Sequence, residues 1–358
     1  MKVEGTAKKP AEIAGQCICK SKRDDVVVHG ILFDQVLSRG RLLWQHGELS
    51  RKGSVCEMTV RMSIMIAYVR WRNRKRHSLD AMASAIAVRG VPAAIPPEVI
   101  RDCIVTEDLI DGRRVVTLSP RSEQSGVHVI HTHGGAYVYA IQVAHWRVLG
   151  MLVRSSGAVF HVPLYPLAPG ATVGEVYRFL FHVYRRVQEI CGKGSIVLSG
   201  DSAGGGLALG QAIHYRNLGL LRPAAVILFS PWLDIAVPER LDRRLERRDP
   251  MLSRVTLSRA GLMWAGQTPL DDPLVSPLND SLRHLPPISV LAGGRDLLIE
   301  DAQRLERKVR DVGGTCHVFM WPSGFHVFMA ATKTAESREA LTLATEILQG
   351  SFAVRASP

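Results

Sequence analysis

From residue 100 onward, short β-branched runs alternate with longer stretches of helical period. Ile100 to Asp108 and Arg113 to Ser119 alternate apolar and polar positions around Asp111-Gly112, which predicts two paired strands and a tight turn. Val127 to Thr132 predicts a third strand, Ala144 to Ser155 a helix, and Ala158 to Tyr165 a strand. Val173 to Cys191 has the period of a long amphipathic helix. Ser195 to Gly200 is an apolar run that breaks at Asp201-Ser202, and helical character resumes to about Asn217. Ala224 to Phe229, Ile288 to Ala292 and Cys316 to Trp321 predict further strands. Helices are expected at Leu257 to Trp264, Ile299 to Asp311 and Ser337 to Leu348, and the rest of 233 to 285 reads as irregular. Strands alternating with helices of this length predict an α/β fold, a mostly parallel sheet with helices on both faces.

Before residue 100 the pattern changes. Ile64, Met65, Ala67, Tyr68 and Trp71, then Leu79, Met82 and Ile86, recur at helical spacing, and Gly90, Pro92, Pro96 and Pro97 end it. Residues 58–97 therefore read as N-terminal cap helices and residues 98–358 as the α/β domain. In residues 1–57, charges and glycines interrupt any long period. That segment reads as a weakly ordered extension outside the main fold. Met58 or a later Met is an alternative natural start, which an intact mass would test.

Composition narrows the class. With 358 residues and 46% hydrophobic content, there is ample chain for a large core. The net charge of +12 raises nucleic acid or an anionic membrane surface as partners. No nucleic-acid motif accompanies the basic residues, so nucleic acid is not expected. The densest basic run, Arg70 to Arg76, follows the apolar stretch Met62 to Val69. It reads as a solvated helix face, with peripheral lipid contact as the sharper alternative. The six cysteines are scattered without a Cys-x-x-Cys, which fits reduced thiols in a cytoplasmic-type compartment. Met1 to Arg23 lacks the apolar core of a secretory signal, and no run approaches the length of a membrane span.

The chemistry concentrates where predicted strands end. Gly200-Asp201-Ser202-Ala203-Gly204 follows a strand and opens a helix, the setting of a nucleophile elbow. Small residues flank Ser202 because a sharp turn brings strand and helix too close for side chains. A serine hydroxyl is a weak nucleophile and needs a base, a group that orients the base, and donors for an oxyanion. His326, in Gly324-Phe325-His326 after the last strand, is the candidate base. Asp296, at the end of the strand before it, is the candidate acid. Asp249 and Asp272 precede prolines in an irregular segment, and Asp301 lies within a helix, so these rivals lack strand-end placement. The candidate oxyanion donors are the backbone N–H of Ala203, beside the serine, and those of the stretch His133-Gly134-Gly135-Ala136-Tyr137 after the third strand. A competing reading gives His128, His131 and His133 to a metal. It lacks an acidic partner at ligand spacing, and His128 faces away from the other two. The expected cofactor and metal content is therefore none.

Several motifs then align in order: His133-Gly134-Gly135-Ala136, Leu167-Ala168-Pro169, Gly200-Asp201-Ser202-Ala203-Gly204-Gly205, Ser230-Pro231-Trp232-Leu233-Asp234, Asp272-Pro273-Leu274-Val275-Ser276-Pro277, Asp296 and Gly324-Phe325-His326. From about residue 60 to 350 the chain resembles the hormone-sensitive-lipase family of α/β-hydrolases, in its bacterial esterase branch. The resemblance implies an α/β-hydrolase fold and a serine carboxylesterase acting on short- to medium-chain esters. It also implies Ser202 as nucleophile, Asp296 as orienting acid and His326 as base, with Gly134 and Gly135 as the first oxyanion donors, Ala136 as the alternative, and Ala203 as the donor beside the nucleophile. Two positions depart from the family pattern: Ala136 stands for the last glycine of the His-Gly-Gly-Gly motif, and Gly170 for the glutamate after Leu-Ala-Pro. The Ala136 substitution is expected to narrow the entrance, and Gly170 to lower stability without loss of activity.

The implied partner is a small-molecule ester. Peripheral lipid contact and a homodimer remain open alternatives. An interfacial lipase, or another acyl hydrolase or transferase on the same triad, is the runner-up activity. A non-catalytic ligand-binding receptor on this scaffold would have lost a triad member, commonly the histidine, whereas His326 keeps its context.

Overall fold

The computed structural model describes residues 43–45, 48–50, 58–73, 79–192, 194–236 and 243–350. The chain divides into two compact units, Met1–Val55 and Cys56–Pro358. In the first, β1 (Leu43–Gln45) and β2 (Glu48–Ser50) form an antiparallel pair. The remainder of the segment read as a weakly ordered extension lies outside the described residues.

The second unit begins with α1 (Val60–Asn73), α2 (Leu79–Arg89) and α3 (Pro97–Asp102). Next come β3 (Cys103–Ile110), β4 (Arg113–Pro120), β5 (Val127–Thr132), α4 (Val143–Ser156), β6 (Val159–Pro163), α5 (Val173–Cys191), β7 (Ser195–Asp201) and α6 (Ala203–Asn217). The chain continues through β8 (Ala225–Phe229), α7 (Arg243–Arg248), α8 (Arg254–Ala265), β9 (Ile288–Gly293), α9 (Ile299–Asp311), β10 (Cys316–Trp321) and α10 (Ala335–Leu348). Eight strands form one sheet in the order β10-β9-β8-β7-β5-β6-β4-β3. The β3–β4 and β4–β6 pairs are antiparallel and every other pair is parallel.

Consecutive residues of the central strands enter opposite cores. Ile130, Leu198 and Leu228 pack with α5, α6 and α9. Val129, Val197 and Ile227 pack with α4 and α10. This is the two-sided burial of a sheet covered on both faces, and it explains why these strands read as continuous apolar runs. Local signals fix the helix ends. Thr172 caps α5 in a reciprocal capping box with Glu175, and Gly157 closes α4 at φ 71°.

Several bounds differ from the sequence reading by a residue or two, and the larger differences lie in two places. The strand expected from Ile100 starts at Cys103, because Pro96 is extended and Pro97 opens a short helix through Asp102. The irregular segment holds the additional six-residue helix α7, and α8 runs longer than expected. The N-terminal helices contact both cores. Met62 and Ile66 of α1 join the α4/α10 side, whereas Met82 of α2 joins the other. Thr59 anchors α1 by giving its N–H and Oγ1–H to the Glu336 carboxylate, at 3.1 and 2.9 Å.

Candidate active site

The turn from β7 into α6 puts Ser202 at φ 52° and ψ −121°, a conformation that non-glycine residues rarely adopt. The end of β8 and the loop after it hold it there. The Ser202 N–H donates to the Phe229 carbonyl at 2.9 Å, and the Ser202 carbonyl accepts the Trp232 N–H at 2.9 Å. The flanking glycines are required by space. A Cβ on Gly200 would stand 2.1 Å from the Gly204 carbonyl oxygen, and one on Gly204 only 1.9 Å from that of Thr132.

The two partners expected for Ser202 converge on it. Its Oγ lies 2.9 Å from Nε2 of His326. On the far side of the ring, Nδ1 lies 3.0 and 3.1 Å from the two Asp296 carboxylate oxygens. Nδ1 facing a carboxylate fixes the tautomer: Nδ1 carries the proton and Nε2 presents its lone pair to the serine hydroxyl. All three residues are buried. The loops bearing Asp296 and His326 are stitched together. Gly294 N–H donates to the Trp321 carbonyl and Arg295 N–H to that of Gly324, at 2.8 and 2.9 Å. A Cβ on Gly293 would stand 2.3 Å from the Gly324 carbonyl oxygen, so this contact also needs glycine.

Burial opposes charge on His326. The negative charge and hydrogen bond of Asp296 outweigh it, with help from Asp249 and Asp201, and raise the imidazole above its ordinary value.

The loop after β5 lies beside the elbow. Gly135, Ala136 and Tyr137 all have positive φ, at 128°, 52° and 64°. Behind it Tyr137 stacks on Trp264, ring centroids 4.3 Å apart. Among the described residues no hydrogen bond engages the N–H of Gly135, Ala136 or Ala203. Gly134 departs from expectation. Its N–H donates to Oδ1 of Asp201 at 2.9 Å, so it is already occupied and is not offered to a ligand.

Residues 129–330, more than half of the chain, match the alpha/beta hydrolase fold family. The protein belongs to the α/β-hydrolase fold family. It is 32% identical over 223 residues to a triacylglycerol lipase of Mycobacterium tuberculosis, a match covering 62% of this chain and 46% of that protein. The chain thus spans about half the length of that relative. It is 34% identical over 211 residues to an esterase of Acinetobacter venetianus, covering 56% of this chain and 68% of the esterase. An esterase structure from the bacterial hormone-sensitive lipase family shares the fold, with a TM-score of 0.71 at 24% identity. That likeness covers 82% of this chain and 98% of the other. The resemblance drawn from the motifs is borne out at the level of family and fold.

Two carboxylates of this α/β-hydrolase have contacts that the sequence reading did not assign. Asp201 is a buried hub: His131 Nε2 stands 3.3 Å from Oδ1, the oxygen that also accepts the Gly134 N–H, and His145 Nε2 stands 3.3 Å from Oδ2. Burial works against its charge, but His145 and His131 more than compensate and hold the carboxyl well below its usual range. His145 Nδ1 accepts the Gln142 N–H at 2.9 Å, so its Nε2 carries the proton that points at Asp201. The signal was present, since His131 shares a strand face with His133 and Asp201 precedes the serine. Asp249 was set aside for lacking strand-end placement. It nevertheless sits beside the triad, its Oδ2 accepting the Leu297 N–H at 2.8 Å next to Asp296. Burial and the charge of Asp296 push it up to about 6.

The histidines weighed as metal ligands go separate ways. His128 pairs with His161 across the sheet at 3.0 Å, His131 faces Asp201, and His133 Nδ1 donates to the Gly134 carbonyl at 2.7 Å. Among the described residues no group of three or more His, Cys, Asp or Glu could hold a metal ion.

Proposed function

We propose that the protein is a serine carboxylesterase that hydrolyses short- to medium-chain esters through an acyl-enzyme. The observation that carries this reading is the buried line Ser202 Oγ–His326 Nε2, His326 Nδ1–Asp296. His326 takes the hydroxyl proton as Ser202 Oγ attacks the ester carbonyl. Asp296 holds the tautomer and stabilises the imidazolium that forms. The N–H groups of Gly135, Ala136 and Ala203 receive the oxyanion. Collapse expels the alcohol, protonated by His326, and leaves the acyl group on Ser202. A water molecule, deprotonated by His326, then attacks the acyl carbonyl and releases acid and free serine. The relatives named as esterase and lipase support the same chemistry. Residues 58–97 serve as a cap whose helices border the α/β domain.

Ser202→Ala assayed on p-nitrophenyl butyrate tests the reading. A fall in kcat of roughly 10⁴-fold or more is expected, because the serine and its base act as a unit. Turnover retained at wild-type level would refute it.

A second reading, an interfacial lipase, has a specific observation behind it. Val60, Ile64, Tyr68 and Trp71 are all exposed on α1, beside arginines. Rate measured against tributyrin concentration discriminates: a jump at the solubility limit favours the lipase, and saturation below it the esterase.

A further inference from the structure

Helix α1 has two apolar faces and buries one. Met62 and Ile66, with Asn73, point into the protein. Val60, Ile64, Tyr68 and Trp71 point into solvent, with exposures of 74%, 64%, 47% and 68%. Offsets of four, four and three residues put these side chains on one stripe of a helix. Single exposed apolar residues are ordinary, but a continuous stripe ending in an aromatic pair marks an interaction surface. The Tyr68 and Trp71 rings lie 6.3 Å apart, so the stripe ends as one aromatic surface.

Cations border the stripe. At about 100° per residue, Arg61 and Arg72 fall along one edge and Arg70 along the other. Backbone carbonyls steer two of these guanidinium groups. Arg61 donates to the Lys333 carbonyl at 3.3 Å, and Arg70 to those of Arg247 and Arg248 at 3.5 and 3.4 Å. Lys333 and Arg247 are themselves exposed at this rim. No salt bridge among the described residues engages Arg61, Arg70 or Arg72. In sequence the basic run continues through Lys75 and Arg76.

An apolar aromatic stripe inside a cationic rim matches the headgroup boundary of an anionic lipid layer, where apolar side chains enter and arginines meet phosphates. A second copy is a poorer complement, since its cationic rim would face an identical one. No helix among the described residues is long and apolar enough to cross a membrane, so contact would lie in the plane of the interface.

We propose that the outer face of α1 docks onto an anionic lipid surface, with Val60, Ile64, Tyr68 and Trp71 inserted and Arg61, Arg70 and Arg72 on the lipid phosphates. The proposal deepens the ester-hydrolase reading and rests on it only for the consequence that lipid esters are presented to the site. The helix is wired toward that site. Asn73 Nδ2 donates to the Pro250 carbonyl at 3.2 Å, adjacent to Asp249, which binds the Leu297 N–H next to Asp296.

The test is sedimentation of the purified full-length protein with vesicles of phosphatidylcholine alone or mixed with phosphatidylglycerol. The mixed vesicles are expected to bind about tenfold more tightly or better, and added salt to weaken the binding. Ile64→Ser/Trp71→Ser should weaken binding at least about tenfold on both vesicle types through lost apolar insertion. Arg61→Glu/Arg72→Glu should abolish the preference for phosphatidylglycerol. Both variants should keep wild-type hydrolysis of soluble p-nitrophenyl butyrate, which also reports an intact fold. Absence of vesicle binding, or binding unchanged in Ile64→Ser/Trp71→Ser, would overturn the proposal. So would a wild-type dimer in light scattering that this variant converts to monomer. A wild-type protein that binds vesicles but cannot hydrolyse soluble esters would instead sink the esterase reading and leave the lipid surface standing.

Discussion

The carboxylate of Asp201 accepts the N–H of Gly134 at 2.9 Å, tying the residue before the candidate nucleophile to the loop that would hold the oxyanion. The contact is tight by construction. A Cβ on Gly134 would stand 2.2 Å from Oδ2 of the same carboxylate. Through Asp201 the elbow and the loop become one rigid body, braced by His131 and His145. Oxyanion stabilisation depends on donors that need no reorganisation when charge develops.

Asp201→Asn therefore probes positioning rather than proton transfer. The amide keeps the volume but loses the charge that two imidazoles face. We expect kcat to fall by roughly 10- to 100-fold with KM little changed, somewhat less than the loss of a whole oxyanion donor. Affinity for a trifluoromethyl ketone, which mimics the tetrahedral state, should fall in parallel with kcat. A variant that loses thermal stability but keeps its inhibitor affinity would show that Asp201 is only a structural brace.

The acid limb of kcat/KM follows from His326. The ring is a base only when neutral, and Asp296 raises its pKa despite burial. Activity should be full at high pH and be lost as pH falls through a value above 6.5, the ordinary histidine value. Asp249 contributes to that upward shift, so Asp249→Asn should move the limb to lower pH, its one remaining oxygen keeping either the Leu297 N–H or the Met251 and Leu252 N–H groups that the two carboxylate oxygens now share. A pH–rate profile with its acid limb at or below 6.5, or one unmoved by Asp249→Asn, would contradict this electrostatic picture.

The elbow glycines set a stability prediction. Gly204→Ala forces a Cβ to 1.9 Å from the Thr132 carbonyl oxygen and 2.5 Å from that of His133, both backbone atoms. Relief requires moving β5 or α6, which costs about 3 kcal/mol or more and should lower Tm by roughly 6–12 °C. Gly174→Ala is the matched control, with nothing within 4 Å of its Cβ. Its Tm should hold or rise slightly, as expected for glycine replaced within a helix. Equal effects in calorimetry would argue against the packing described for the elbow.

Much of this was legible in the sequence because the strands are buried on both faces. Val127–Thr132, Ile299–Asp311 and Cys316–Trp321 have the expected bounds. Strand ends also located Ser202, Asp296 and His326, since parallel sheets carry chemistry at those ends. The start of β3 was misread because Ile100 continues the strand's apolar alternation, while Pro97 imposes a helical turn first. The roles of Gly134 and Asp249 depend on which backbone N–H meets which carboxylate, and these are contacts across 67 and 48 residues. No local pattern encodes such pairings.

The central claim is that Ser202 is the residue that becomes acylated. Diisopropyl fluorophosphate reports this directly, since it phosphorylates only a serine activated by its neighbours. Peptide mapping of the inactivated protein should find one adduct, on Ser202, formed in proportion to the loss of p-nitrophenyl butyrate hydrolysis and absent in His326→Ala. An adduct on another serine that tracks inactivation, or full inactivation with Ser202 unmodified, would contradict the account.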